Sequence, residues 1–180
     1  MRRTCRPYPR QPLYWFLTVP MIVMYVAVAV LLWTVGTGLF VLYCALFAVV
    51  ALCQSVACVH WECPYVGRFA PCMGGFCLPS SRIALALGSL GRSRRVYAAA
   101  VTVASLAVVG IVAVPVHALY RRSPVSLLAY VAALIVYAVA FLWLICPACE
   151  TRDACPGGRA ATRMKGSAGN ARPTQNKEAP

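Results

Sequence analysis

Cys63-Pro64-Tyr65-Val66-Gly67-Arg68-Phe69-Ala70-Pro71-Cys72-Met73-Gly74-Gly75 shares its frame with Cys146-Pro147-Ala148-Cys149-Glu150-Thr151-Arg152-Asp153-Ala154-Cys155-Pro156-Gly157-Gly158. Both read Cys-Pro, seven residues, Cys, one residue, Gly-Gly. Matching positions stand 83 residues apart throughout, with no gap. Each motif follows a pair of apolar runs. The chain therefore reads as two tandem halves, each a helical hairpin that ends in this motif.

Working outward, the apolar runs are Leu13–Trp33, Leu39–Val59, Val96–Ala118 and Val125–Cys146. A run of about 20 apolar residues crosses the roughly 30 Å hydrocarbon core. The whole chain of 180 residues is 61% hydrophobic and 12% charged, about half the charge of an ordinary soluble protein. The runs have no polar face, which excludes a soluble bundle. The expected fold is all-α, with four transmembrane helices. Each half has an even number of spans, so both halves enter the bilayer from the same side, making a parallel repeat.

The expected divisions follow. Residues 1–12 form a basic N-terminus whose prolines disfavour a helix. The run after it is too long for the core of a signal peptide, so it is read as a retained span. Residues 13–77 hold the first hairpin and its motif, and residues 78–95 a basic connector. In that connector Arg82, Arg92, Arg94 and Arg95 are placed to meet anionic lipid headgroups. Residues 96–158 hold the second hairpin and its motif. Residues 159–180 lack apolar periodicity and are expected to be disordered. Thr34–Gly38 and Tyr120–Pro124 read as the two hairpin turns. Val96–Ala118 is rich in Ala, Ser and Gly, which suits close packing at the centre of a bundle.

Four spans leave the N-terminus, the connector and the C-terminus on one face. That face holds 15 of the 17 Lys and Arg residues, and Arg121 and Arg122 hold the other face. The asymmetry places both termini and both motifs in the cytoplasm of a cell whose plasma (inner) membrane carries the protein. The net charge of +13 then reflects topology and lipid contact rather than nucleic acid. Protein partners are not specified by any motif, and an oligomer is compatible with the composition.

The cytoplasm keeps thiols reduced, which changes the meaning of ten cysteines. Grouped reduced cysteines point to metal ligation or to redox chemistry. Cys63, Cys72, Cys146 and Cys155 make four thiolates, the ligand set of a closed zinc site or an iron–sulfur cluster. Cys149, Cys77, Cys58 and His60 are further candidate ligands. The prolines after Cys63, Cys146 and Cys155 are expected to end helices, and the Gly-Gly pairs to let the backbone turn back tightly. A closed four-sulfur site favours a structural role over catalysis.

Two alternatives stand beside this. Cys146 and Cys149 form a Cys-x2-Cys pair that suits a thiol–disulfide oxidoreductase. In architecture alone the chain resembles the quinone-linked disulfide-forming membrane enzymes. Those enzymes work with thiols on the exported side, whereas the charge asymmetry puts Cys146 and Cys149 inside. A metal-ion transporter would need polar groups along the spans, and Gln54 and His117 are the candidates. The four acids, Glu62, Glu150, Asp153 and Glu178, with two histidines, form no hydrolytic motif.

Overall fold

The computed structural model describes residues 8, 10–63, 65, 69, 72, 77–87, 93–149, 153 and 155–166. Among these residues are six α-helices and no strand. They are α1 (Gln11–Val35), α2 (Thr37–His60), α3 (Cys77–Leu87), α4 (Arg94–Arg122), α5 (Pro124–Ala140) and α6 (Pro156–Gly166). A π-helical turn, Phe141–Ile145, and a 3-10 turn, Cys146–Ala148, continue α5. Helices α1, α2 and α4, and the run Pro124–Ala148, are each long and apolar enough to cross a membrane.

Local chemistry sets the helix ends. Pro12 and Pro124 sit in the first turns of α1 and α5, where the missing N–H would have no partner anyway. Ser123 caps α5, its Oγ accepting from the Val125 N–H at 3.3 Å. Between α1 and α2 only Gly36 is non-helical, in an extended conformation that any residue adopts (φ 175°, ψ 131°). The second turn is equally short. Tyr120, Arg121 and Arg122 belong to α4, and Ser123 alone separates it from α5. Cations suit a helix C-terminus, and a residue before proline is pushed into extended backbone, as Ser123 is (φ −171°, ψ 131°). Both turns are thus narrower than the sequence suggested.

The two hairpins do not align as wholes. Helices α1 and α4 begin 83 residues apart, at Gln11 and Arg94, but Gly36 and Ser123 are 87 apart. Helix α4 has 29 residues against 25 in α1. The second half therefore has a longer first helix and a shorter second one, and the frame is regained only at Cys146.

Helix α4 packs on α1, α2 and α5, and α1 likewise packs on α2, α4 and α5. The small residues of α4 matter here. A Cβ at Gly110 would stand 2.9 Å from Leu46 Cδ1, so a larger residue there would make that leucine of α2 turn aside. Tyr130 of α5 donates to the Ile111 carbonyl of α4 at 3.2 Å. Large apolar side chains such as Phe16, Val109 and Leu128 face outward from the bundle, as they do on helices that meet lipid.

Helix α3 docks on the flank of α2. Ser80 Oγ donates to the Ala51 carbonyl at 3.1 Å and lies 3.5 Å from Gln54 Oε1, and Ala84 is buried. Helix α3 is therefore anchored nine residues in from the end of α2. Arg82, Arg94 and Arg95 are exposed, and Arg92 lies outside the described residues. Helix α6 occupies residues expected to be disordered. Pro156 opens it, Ala160 and Ala161 favour it, and buried Gly158 and Ala161 seat it against the end of the α5 run. Residues 167–180 lie outside the described residues.

Candidate functional site

The start of α1, the end of α2 and the end of the α5 run meet at one end of the bundle, and the two cysteine motifs meet with them. Pro147 explains why α5 does not end as a regular helix. It has no N–H to give the fourth carbonyl back, and the last turns loosen into the π and 3-10 turns just before it. The N-terminal segment covers the carbonyls left there. Tyr8 donates its hydroxyl to the Ile145 carbonyl at 2.9 Å, and Arg10 Nη1 donates to the Leu144 carbonyl at 2.6 Å. Arg10 also complements the negative end of the helix dipole. Burial, followed by the neighbouring Cys149, pushes the Tyr8 hydroxyl well above its ordinary range, so it stays a donor.

Aromatic rings form the floor of this cap. Phe69, from within the first motif, meets Tyr14 at 4.9 Å, Trp15 at 5.6 Å and Tyr8 at 6.4 Å between ring centroids. Tyr14 also meets Phe141 at 5.9 Å and donates its hydroxyl to the Cys72 carbonyl at 3.0 Å. Cys63, Cys72, Cys146 and Cys149 all pack on this cluster of Tyr8, Tyr14, Tyr65, Tyr137, Phe141 and Ile145. Phe69 and Cys72 are thereby held against α1.

Helix α2 ends in a way that brings two thiols together. Glu62 has a left-handed backbone (φ 47°). The Cys63 N–H reaches the Cys58 carbonyl at 3.0 Å, and the Glu62 N–H reaches the Val59 carbonyl at 3.2 Å. This is the Schellman closure, which sets the first residue past the turn over the last full helical turn. The Cys63 thiol consequently hydrogen-bonds the buried Cys58 thiol. That bond and burial push the Cys63 thiol well above its ordinary range. Cys58 hydrogen-bonds Cys72 as well.

The second motif joins from the other side. Cys155 and Cys146 both border Gly157. A Cβ at Gly157 would lie 3.8 Å from Cys146 Sγ and 3.9 Å from Cys155 Sγ, in ordinary contact with both. The glycines here start α6 rather than turn the chain back, and Gly157 leaves room for two thiols. Likewise Pro156 opens a helix instead of ending one. Gly74 and Gly75 lie outside the described residues.

Of the expected ligands, Cys63, Cys72, Cys146 and Cys155 do come to one end. Cys58, a lesser candidate on sequence, is the thiol that joins Cys63 and Cys72. Its signal was there in the spacing Cys58-x4-Cys63, the C3-to-C″ separation of a Schellman closure, but no glycine marked the turn. His60 stacks on Tyr97 of α4 (4.2 Å between centroids, 7° between planes). The side chain of Cys77 lies outside the described residues. Among the described residues, no three His, Cys, Asp or Glu side chains are grouped tightly enough to hold a metal ion. The thiols run as a chain, Cys63 to Cys58 to Cys72, rather than around one point. Gln54 faces Ser80 near the cysteine end, and His117 is exposed near the opposite end of α4.

These features define an all-helical protein with four helices long and apolar enough to span a membrane, capped at one end by reduced thiols. No protein-family model, curated protein or solved structure matches the chain.

Proposed function

We propose that this chain is a small membrane protein of the plasma (inner) membrane whose cysteine end faces the cytoplasm and takes up a thiophilic metal ion, zinc, that fastens the two halves together. Cys58, Cys63, Cys72 and Cys155 are the ligands. The single observation behind this is that Cys58, Cys63 and Cys72 of the first half and Cys155 of the second lie at the same end of the bundle. The metal displaces the thiol protons and draws the chain of thiols around one centre. The cytoplasmic assignment rests on the 15-to-2 division of basic residues.

A metal accounts for these thiols better than nucleophilic chemistry. Thiols from both halves gather at this end, as a fastening metal needs, whereas thiol–disulfide exchange needs only the adjacent Cys146 and Cys149. Transport is less well supported still, because Gln54 and His117 stand at opposite ends of the bundle and do not share a path.

The test is metal content after purification in reducing, chelator-free buffer. The wild type should retain about one zinc per chain. Cys58→Ser and Cys155→Ser should each lose it, while Cys146→Ser retains it. Iron with sulfide would keep the ligand set and make the site an electron carrier. A metal-free wild type would refute the proposal.

A further inference from the structure

Between the thiol end and the hairpin turns, α1 and α5 part to leave a groove of about 830 Å³. On α1 its wall runs from Phe16 to Leu31, and on α5 from Ser126 to Ala140, each as a stripe at helical spacing. Ala27, Ala129, Ala133 and Ala140 have too little bulk to fill it. Either wall covers about 21 Å of rise, more than the roughly 15 Å that one leaflet contributes to the hydrocarbon core. At the hairpin-turn end the lining changes character, with Arg122 and Ser126 completing it.

The charges around that end identify the occupant. Neither hairpin turn contains an Asp or Glu, so among the described residues Arg122 has no carboxylate at its end of the bundle. An apolar trough that ends in a guanidinium and a hydroxyl fits an acyl chain joined to a phosphate. A second copy of this chain would bring Arg121 and Arg122 against the same pair if the two molecules lay parallel. Free phosphate would leave the trough empty.

We infer that the α1–α5 groove is a binding site for one anionic phospholipid, its acyl chain along Ala27 and Ala133 and its phosphate on Arg122 and Ser126. The guanidinium donates charge-assisted hydrogen bonds to the phosphate, and these are the stronger kind. The site is distinct from general headgroup contact by surface arginines, because it also selects by the chain it holds.

The test uses the full chain in nanodiscs of mixed phosphatidylglycerol and phosphatidylcholine with identical acyl chains. Lipids retained after transfer to mild detergent are counted by native mass spectrometry. The wild type should keep one phosphatidylglycerol per chain in preference to phosphatidylcholine. Arg122→Gln should lower that retention about tenfold, the scale of one lost hydrogen bond to a charged group. Ala133→Phe, which fills the groove, should lower retention of both lipids, whereas Arg121→Gln should leave the preference intact. Unchanged phosphatidylglycerol in Arg122→Gln or in Ala133→Phe would overturn the site. So would an equal loss in Arg121→Gln, which means general surface attraction, or a lipid-free dimer of the wild type.

Discussion

The two ends of the bundle are built on opposite plans. At the turn end, Gly36 and Ser123 are the only residues between helices, and Trp33 and Phe40 meet edge to face at 5.1 Å with no further ring. At the thiol end, segments from both halves interlock through the rings around Phe69, two side-chain bonds to helix carbonyls, and a run of thiols. Short turns join helices that are already adjacent and need nothing more. The cysteine end joins elements distant in sequence, and there the chain concentrates its specific contacts. The proposed metal site belongs to the interlocked end.

The largest effect expected from breaking this contrast is loss of a thiol ligand. Cys63→Ser should abolish metal retention and lower stability by more than about 4 kcal/mol, the range for losing a structural metal. Cys44→Ser, an exposed cysteine of α2 away from the cap, should change neither. Metal analysis and thermal unfolding in detergent check both.

Next come the rings. Phe69→Ala should cost about 3 kcal/mol, because it removes the ring shared by Tyr8, Tyr14 and Trp15. Phe40→Ala at the turn end should cost under about 1 kcal/mol, since lipid replaces the contacts a partner ring made. Equal losses in chemical unfolding would erase the distinction between the ends. Arg10→Ala should follow at about 1.5 kcal/mol, the value of a hydrogen bond from a charged group. Arg121→Ala should be neutral in the same assay.

The smallest effects concern backbone. Glu62 occupies the left-handed region at a cost of about 1 kcal/mol for a non-glycine residue. Glu62→Gly should therefore stabilise the chain by about that amount and keep the metal. Gly36→Ala should stay within about 0.5 kcal/mol, because its backbone is extended and a Cβ there meets nothing within 4 Å. A loss of metal in Glu62→Gly would mean the carboxylate itself serves the site.

Glu62 and Gly36 also show what could be read from sequence. The four long helices were legible because apolar runs of bilayer length leave little choice. The common frame of Cys63 and Cys146 directed attention to the end of the bundle where Cys63, Cys72 and Cys146 pack on one aromatic cluster. The turn at Glu62 was not, because no glycine announces a left-handed residue. The slip of four residues between the hairpins was hidden too. It arises where Tyr120, Arg121 and Arg122, typical turn-flanking residues, stay helical to complement the end of α4. Helix α6 was missed because its burial depends on Gly158 and Ala161, residues with almost no hydropathy signal of their own.

Whether sulfur atoms from both halves share one metal at the thiol end is read by X-ray absorption at the zinc edge of the purified chain. A shell of four sulfurs at about 2.3 Å is expected, reduced in Cys58→Ser and in Cys155→Ser. A shell of nitrogen and oxygen at about 2.0–2.1 Å, or no bound zinc at all, would contradict it.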